Sequence, residues 1–491
     1  MSGEENGTVW RETNRDQRSI TLGRDAFQLR IIVCSPTLIR VRMNQGTPLE
    51  RRSWAVTPAD GDWSVCDWSA DSSITGLITI NTSQLKIIVD QTEGSVSFAD
   101  SHGAVFCADA QPASFGDKGV ALNKIRAEGE RFYGFGERTG LLEKTGHTYT
   151  SWTFDPEHTH SARVDNMYAA FPIYLALDGG RAYGVFFNTS FRSSFDIGAA
   201  DPGLVGWRTD GPELDYYVAF GPAPADVLRG WTELLGSTPL PPRWALGYHQ
   251  SRWGYDRDPV MRELAAEFRG RGLPCDAIHF DIDYMRGYRV FTWNPETFPD
   301  PARLLGDLAG DGFKVVTIID PGVKTDPDYH VFREGLEQDR FIRRADGSLF
   351  SGYVWPDDSA FADYTRADVR AWWGEMQRPL LELGVRGIWD DMNEPTVFAR
   401  PFSEGGGDPG TIDLDAPQGG DEPTTHAEVH NLYGLLMARA TREGMLAARP
   451  DERPFVLTRS GFAGLQRWAT LWTGDNSALW EHLEMTLPQI C

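Results

Sequence analysis

The sequence predicts a multidomain chain, an N-terminal β-sandwich followed by a (β/α)8 TIM barrel that is incomplete, with about six of its eight strands. Three observations carry this prediction. Short β-branched or alternating apolar runs fill residues 1 to about 220. From Trp244 onward, short apolar runs alternate with helix-period segments. Acidic residues gather at the ends of those later runs.

In the first part the runs are Leu38–Met43, Leu77–Ile80, Leu85–Val89, Val96–Phe98, Ala182–Phe187 and Leu214–Phe220, separated by turn residues. Recurrent short strands of this kind predict a sandwich. A helical stretch, Pro224–Leu235, leads into the proline-rich STPLPPRW, which places a boundary near Pro239. The predicted division is 1–222 for the sandwich, 223–240 for a helical and proline-rich linker, and 241–491 for the barrel.

Strand candidates in the barrel are Ala245–His249, Ala277–Asp281, Val315–Ile319, Val385–Trp389, Phe455–Leu457 and Ala469–Trp472. Between them lie the helical segments Asp258–Arg269, Pro301–Leu308, Asp368–Leu383 and Glu428–Ala448. This alternation implies a parallel sheet, barrel or doubly wound. No GxGxxG follows the first strand, which weakens the dinucleotide-binding option. Asp281/Asp283, Asp320, Asp390/Asp391 and Asp475 sit at or just after strand ends, where (β/α)8 barrels carry their chemistry. A Gly/Pro/Asp-rich loop, 403–425, begins shortly after Asp391 and is expected to be a lid or wall of the site.

The net charge of −23 argues against nucleic acid or an anionic membrane as partner and favours a neutral small molecule. Most of the 17 tryptophans must serve core packing, but a surplus also suits the apolar faces of pyranose rings. Cys34, Cys66, Cys107, Cys275 and Cys491 are odd in number and scattered, so neither a disulfide framework nor a zinc site is expected. The N-terminal MSGEENGTVW has no basic start and no apolar stretch, and no apolar run is long enough to span a bilayer. These features predict a cytoplasmic protein; the oligomeric state is left open, a homo-oligomer included.

Cleaving a glycosidic bond takes one carboxylic acid to protonate the leaving oxygen and a second carboxylate to attack the anomeric carbon or activate water. WDDMNEP (389–395) and WTGDN (472–476) each supply acids after an apolar run. Aspartates also cap helices at such turns, so spacing alone leaves both readings open.

The motifs PPRWALGYHQSRWGY (241–255), DAIHFDIDYMRGYRVFTWNPETFPDP (276–301), GIWDDMNEP (387–395), EVHNLYGLLMA (428–438) and LTRSGFAGLQRWATLWTGDN (457–476), with RFYGFGER (131–138) in the β-rich half, closely resemble glycoside hydrolase family 31, in its α-glucosidase branch. The resemblance implies a retaining exo-α-glucosidase acting on maltose-like oligosaccharides by double displacement, with no cofactor and no metal. It makes Asp391 the nucleophile and Asp475 the acid/base, with carboxyl groups about 5–5.5 Å apart. It also implies a sugar pocket of Asp155, Trp253, Asp281, Ile282, Trp355, Trp389 and Arg459. Asp390 falls at a variable motif position; it either raises the Asp391 pKa by like-charge repulsion or points elsewhere. Other specificities of the family, α-xylosidase, sulfoquinovosidase and α-glucan lyase, remain open, as does a carbohydrate-binding protein without turnover. His426 and His430 are spaced i, i+4, but HAEVH is not HExxH and no metal is expected there.

Members of the family continue well past W-T-G-D-N, whereas this sequence ends soon after it, at Cys491. A six-stranded open sheet exposes edges and apolar surface. The expectation is that these residues alone are poorly soluble and weakly active or inactive.

Overall fold

The computed structural model describes residues 9–46, 53–156, 160, 164, 166–420 and 422–490. Its N-terminal part is built on an eight-stranded antiparallel sheet in which Phe27–Ser35, Leu38–Gln45, Glu213–Phe220 and Arg181–Phe187 are neighbours. A five-stranded sheet, including Gly119–Ile125, Leu204–Thr209 and Ser193–Ile197, lies across it. Strand alternation explains how both faces of the large sheet are used. Leu29, Ile31 and Val33 point into the sandwich core with Val205, Trp207 and Phe195. Ile32 and Cys34 point the other way and join a second core that continues into the barrel. Helix α1 (Pro224–Leu235) belongs to that second core through Val227 and Leu234.

The barrel strands are β1 (His249–Gln250), β2 (Ala277–Phe280), β3 (Lys314–Ile319), β4 (Gly387–Asp390), β5 (Phe455–Thr458) and β6 (Thr470–Leu471). They pair in parallel in that order and form an open six-stranded sheet among the described residues. Helices α2 (Asp258–Gly270), α3 (Pro301–Gly310), α4 (Ala367–Met376), α5 (Arg378–Leu383), α6 (Tyr433–Ala448) and α7 (Trp480–Ile490) accompany them. The sandwich-plus-incomplete-barrel fold read from the sequence is therefore the observed one.

Local differences have local causes. The first strand is only two residues long because Arg243–Leu246 coils into a 3-10 turn after Pro242. Asp368–Leu383 is two helices, with Pro379 opening the second, since proline lacks the amide a continuous helix needs there. The stretch beginning near Glu428 includes a 3-10 turn, His430–Leu432, before α6 starts.

The two parts are joined at the C-terminal mouth of the sheet. Ala169–Ala170 pairs in parallel with Gly461–Phe462. Thr153 donates from Oγ1 to the Glu394 carbonyl at 2.9 Å, and the Asn431 amide donates to the Ser190 carbonyl at 3.0 Å. The 403–425 loop is a wall with buried anchors, Ile412 and Ala416, and its Gln418 Oε1 accepts from His426 Nδ1 at 2.7 Å. No helix among the described residues is long and apolar enough to cross a membrane. Cys34, Cys66, Cys107 and Cys275 are free thiols, and Cys491 lies outside the described residues.

Candidate active site

Register places the site residues. Ile319, Asp390, Thr458 and Leu471 are successive cross-strand partners on β3 to β6. One residue further along each strand come Asp320, Asp391, Arg459 and Trp472. Alternation puts these on the same side as Trp389 and Leu457, two residues earlier, which face the inside of the sheet with Phe455. A row of two acids, a guanidinium and an indole is thus set across the mouth by pairing geometry. The same alternation turns Asp390 outward, where its Oδ1 accepts from Thr441 Oγ1 of α6 at 2.9 Å. Of the two options for Asp390, the structure selects the one in which it points elsewhere.

Arg459 organises the cluster and is 2% exposed. Its Nε and Nη2 donate to the two carboxylate oxygens of Glu394 at 2.9 and 2.8 Å. Nη2 also reaches Asp155 Oδ2 at 3.2 Å, Nε lies 3.1 Å from Asp391 Oδ1, and Nη1 lies 3.5 Å from Asp475 Oδ2. The Tyr168 ring lies 4.8 Å from the guanidinium carbon. One cation therefore serves four carboxylates from three segments of the chain. Its approach to Asp391 is an ion pair in distance, yet Asp391 Oδ1 has no hydrogen-bond partner among the described residues. That oxygen is held by charge rather than by a hydrogen bond.

Burial is the main electrostatic force here. It pushes the Asp391 carboxyl well above the usual carboxylate range; Arg459 opposes the rise, and the nearby Asp320, Asp475 and Glu394 add to it. Burial likewise raises Asp155 and Asp281 to about 6 and Asp320 to about 7. A strand-end row with this many interacting acids is the setting in which carboxyl groups divide into proton holders and anions.

The structure thus brings together Asp155, Asp391, Asp475 and Arg459. Asp281 follows β2, where its carboxylate accepts from the Ile282 amide at 2.8 Å and feels the charge of Asp475. Ile282 is buried in the barrel core beneath it. Trp389 meets Trp472 edge to face at 5.4 Å. Trp253 and Trp355 form a separate pair, 6.2 Å apart. Trp355 packs against Phe398 and Phe402 of the loop wall, whereas Trp253 is 59% exposed. The Asp475 side chain is 73% exposed, in contrast to the enclosed Asp391.

Asp320, Glu394 and Tyr168 were not assigned to the site from sequence. Asp320 carried a usable signal, the same position one residue past a strand that Asp391 occupies. Glu394 lies inside the GIWDDMNEP motif. Tyr168 had none: it arrives from a loop of the sandwich, accepts from the Asp475 amide at 3.4 Å and hydrogen-bonds His160 at 2.9 Å. Gly474 makes room for it, since a Cβ there would stand 2.0 Å from the Tyr168 ring and φ is +72°. Gly474→Ala is expected to displace Asp475 at a cost of about 1–3 kcal/mol in stability. Paired thermal melts of parent and variant check this. His426 and His430 contact one another at 3.2 Å, and His430 Nε2 meets the Thr153 carbonyl at 2.8 Å, so these rings tie the loop wall to the sandwich.

Comparison with known proteins adds an independent line. Residues 238–491 match the glycosyl hydrolases family 31 TIM-barrel domain, and residues 28–196 match the glycosyl hydrolase 31 N-terminal galactose mutarotase-like domain. Alpha-glucosidase 2 of Bacillus thermoamyloliquefaciens is 41% identical over 420 residues, covering 84% of this chain and 52% of that protein. Neutral alpha-glucosidase AB of Sus scrofa is 33% identical, covering 78% of this chain and 42% of that protein. The chain thus spans about half the length of the curated relatives it matches. A GH31 dextranase of Flavobacterium johnsoniae, solved with isomaltotriose, superposes with a TM-score of 0.88 at 25% identity, over 99% of this chain and 59% of that one. The chain belongs to glycoside hydrolase family 31.

Proposed function

We propose that this chain carries the catalytic centre of a retaining exo-α-glucosidase that releases terminal α-linked glucose from maltose-like oligosaccharides. Asp391 is the nucleophile and Asp475 the acid/base. The observation that carries the reading is the Arg459 cluster: two carboxyls, one enclosed and one open to solvent, held on the same guanidinium at the mouth of a parallel sheet. Relatives named alpha-glucosidase support glucose as the sugar. Asp155, Asp281 and Arg459 bind sugar hydroxyls, Trp389 and Ile282 form the floor, and Trp253 with Trp355 forms the outer wall. The chain divides into a sandwich domain at 1–222, a linker at 223–240 and the catalytic barrel at 241–491.

In the proposed cycle Asp475 protonates the glycosidic oxygen as Asp391 attacks the anomeric carbon from the opposite face. A water enters where the leaving group was, and Asp475, now a carboxylate, takes its proton while the glucosyl ester breaks. Two inversions return the original configuration. The proton taken from that water restores the acid form of Asp475 for the next turnover.

Asp475→Asn tests the acid/base role. Turnover is expected to fall about 10²–10⁴-fold on maltose, whose leaving group needs a proton. The fall is smaller on p-nitrophenyl α-glucoside, whose phenolate leaves without one. Equal losses on both substrates contradict the assignment. Parallel rates on aryl α-glucoside and aryl α-xyloside decide the sugar.

A further inference from the structure

Helix α7 buries one stripe of side chains. His482, Met485 and Gln489 are spaced i, i+3 and i+7, so they fall on one face. That face packs on the sandwich loop that also supplies Tyr168. Gln489 Nε2 donates to Met167 Sδ at 3.8 Å. The His482 ring lies 7° from parallel to the His160 ring, with centroids 6.1 Å apart.

His482 differs from its two neighbours on the stripe in what it binds. The Ser477 amide donates to His482 Nδ1 at 2.8 Å. An imidazole nitrogen accepts only with a lone pair, so this bond places the ring hydrogen on Nε2. Ser477 is two residues past Asp475, and the turn between them is closed on itself. The Asn476 amide donates to the Gly474 carbonyl at 2.9 Å, and the Asn476 side chain meets the Thr473 hydroxyl at 2.7 Å. Tyr168 accepts from the Asp475 amide on the other side of the turn and is bonded to His160. Two side-chain acceptors therefore hold the turn, Tyr168 at Asp475 and His482 at Ser477, and His160 lies between them. The Asp475 side chain is itself mostly exposed, and its ion pair with Arg459 is long, at 3.5 Å. The place of its carboxyl thus depends on the backbone of the turn.

We propose that His482 is a positioning residue for the acid/base: by accepting the Ser477 amide it fixes the turn that presents the Asp475 carboxyl to the glycosidic oxygen. The inference rests on the glycosidase reading and on Asp475 in that role. Displacing a reacting group by on the order of 1 Å costs up to about 10²-fold in rate.

Two variants separate the hydrogen bond from packing. His482→Phe keeps a flat ring against His160 but has no acceptor. His482→Asn loses the ring but offers Oδ1 near the place of Nδ1. On maltose, kcat/KM is expected to fall about tenfold or more in His482→Phe and to recover to within about threefold of the parent in His482→Asn. On p-nitrophenyl α-glucoside, whose leaving group needs no proton, both variants are expected within about threefold of the parent. Added to Asp475→Asn, His482→Phe is expected to cost less than about a further twofold on maltose. Equal losses on the two substrates, or a greater loss in His482→Asn than in His482→Phe, overturn the proposal, since packing alone gives those patterns. A folded His482→Asn that loses about tenfold or more on maltose overturns it even if the phenylalanine variant does not fold.

Hydrogen exchange of the peptide spanning 473–479 gives a readout independent of turnover. Exchange at Ser477 is expected to be about tenfold or more faster in His482→Phe than in the parent and in His482→Asn. Equal protection in the parent and His482→Phe overturns the proposal. If that difference is seen but the parent hydrolyses neither substrate, the glycosidase reading fails and the anchoring of the turn by His482 stands. If the parent hydrolyses both and exchange does not differ, the positioning proposal fails and the glycosidase reading stands.

Discussion

Asp391→Asn is expected to lower turnover of p-nitrophenyl α-glucoside by a factor on the order of 10⁴ or more, with little effect on folding. The amide keeps the volume of the side chain but cannot form a glucosyl ester, so the first displacement is lost. The environment of Asp391 adds a pH signature. Burial favours its neutral form, and Arg459 offsets only part of that. The nucleophile must be ionised, so kcat/KM in the parent chain is expected to fall as pH drops through this raised value. The acid limb then lies above the ordinary carboxylate range. A limb at the ordinary aspartate value would assign the nucleophile to a more exposed group.

Arg459→Leu is the variant with the largest expected effect on stability. It leaves Asp155, Asp391 and Glu394 without their shared counter-charge, at a position where Arg459 itself is 2% exposed. Removing one partner of a buried ion pair costs about 3–5 kcal/mol, because the remaining charge is uncompensated. Urea unfolding of parent and variant at neutral pH measures it. The sign of the pH effect follows from linkage. Without the arginine the folded-state pKa values of Asp155 and Asp391 rise further above their unfolded values. The deficit is then largest at neutral pH and shrinks as the pH falls toward the unfolded carboxylate values, where the folded acids are already neutral. Arg459→Lys keeps the charge but loses the two-pronged grip on Glu394 and is expected to recover only part of the loss.

Much of this arrangement was legible in the sequence because it depends on local pattern. Period-2 runs such as Leu85–Val89 and the alternation from Ala277 onward specify strands directly, and α1 was read to the residue. Asp391 and Asp475 stood out because strand ends and motif coincide there. The remaining features depend on register and on chain segments far apart. Asp390 and Asp391 are neighbours in sequence, and only strand alternation assigns one to the helix layer and the other to the mouth. Tyr168 and Thr153 reach the site because Ala169–Ala170 pairs with Gly461–Phe462, an interaction between segments almost 300 residues apart that no local pattern encodes. The 3-10 turn at Arg243–Leu246 was missed for the opposite reason. WALGYH is apolar enough to read as strand, and the preceding prolines fix the backbone otherwise.

The most direct test of the central claim, that Asp391 is the nucleophile of a double displacement assisted by Asp475, is to trap the glucosyl ester. The purified chain would be incubated with 5-fluoro-α-D-glucosyl fluoride, whose ring fluorine slows both steps and whose fluoride leaves without protonation. The adduct would then be located by peptide mass spectrometry. The account predicts a single fluoroglucosyl group on the peptide containing Asp391, absent from Asp391→Asn and still formed in Asp475→Asn. Labelling of Asp281, Asp320 or Asp475 instead, or rapid consumption of the reagent by the parent chain with no adduct, would contradict it.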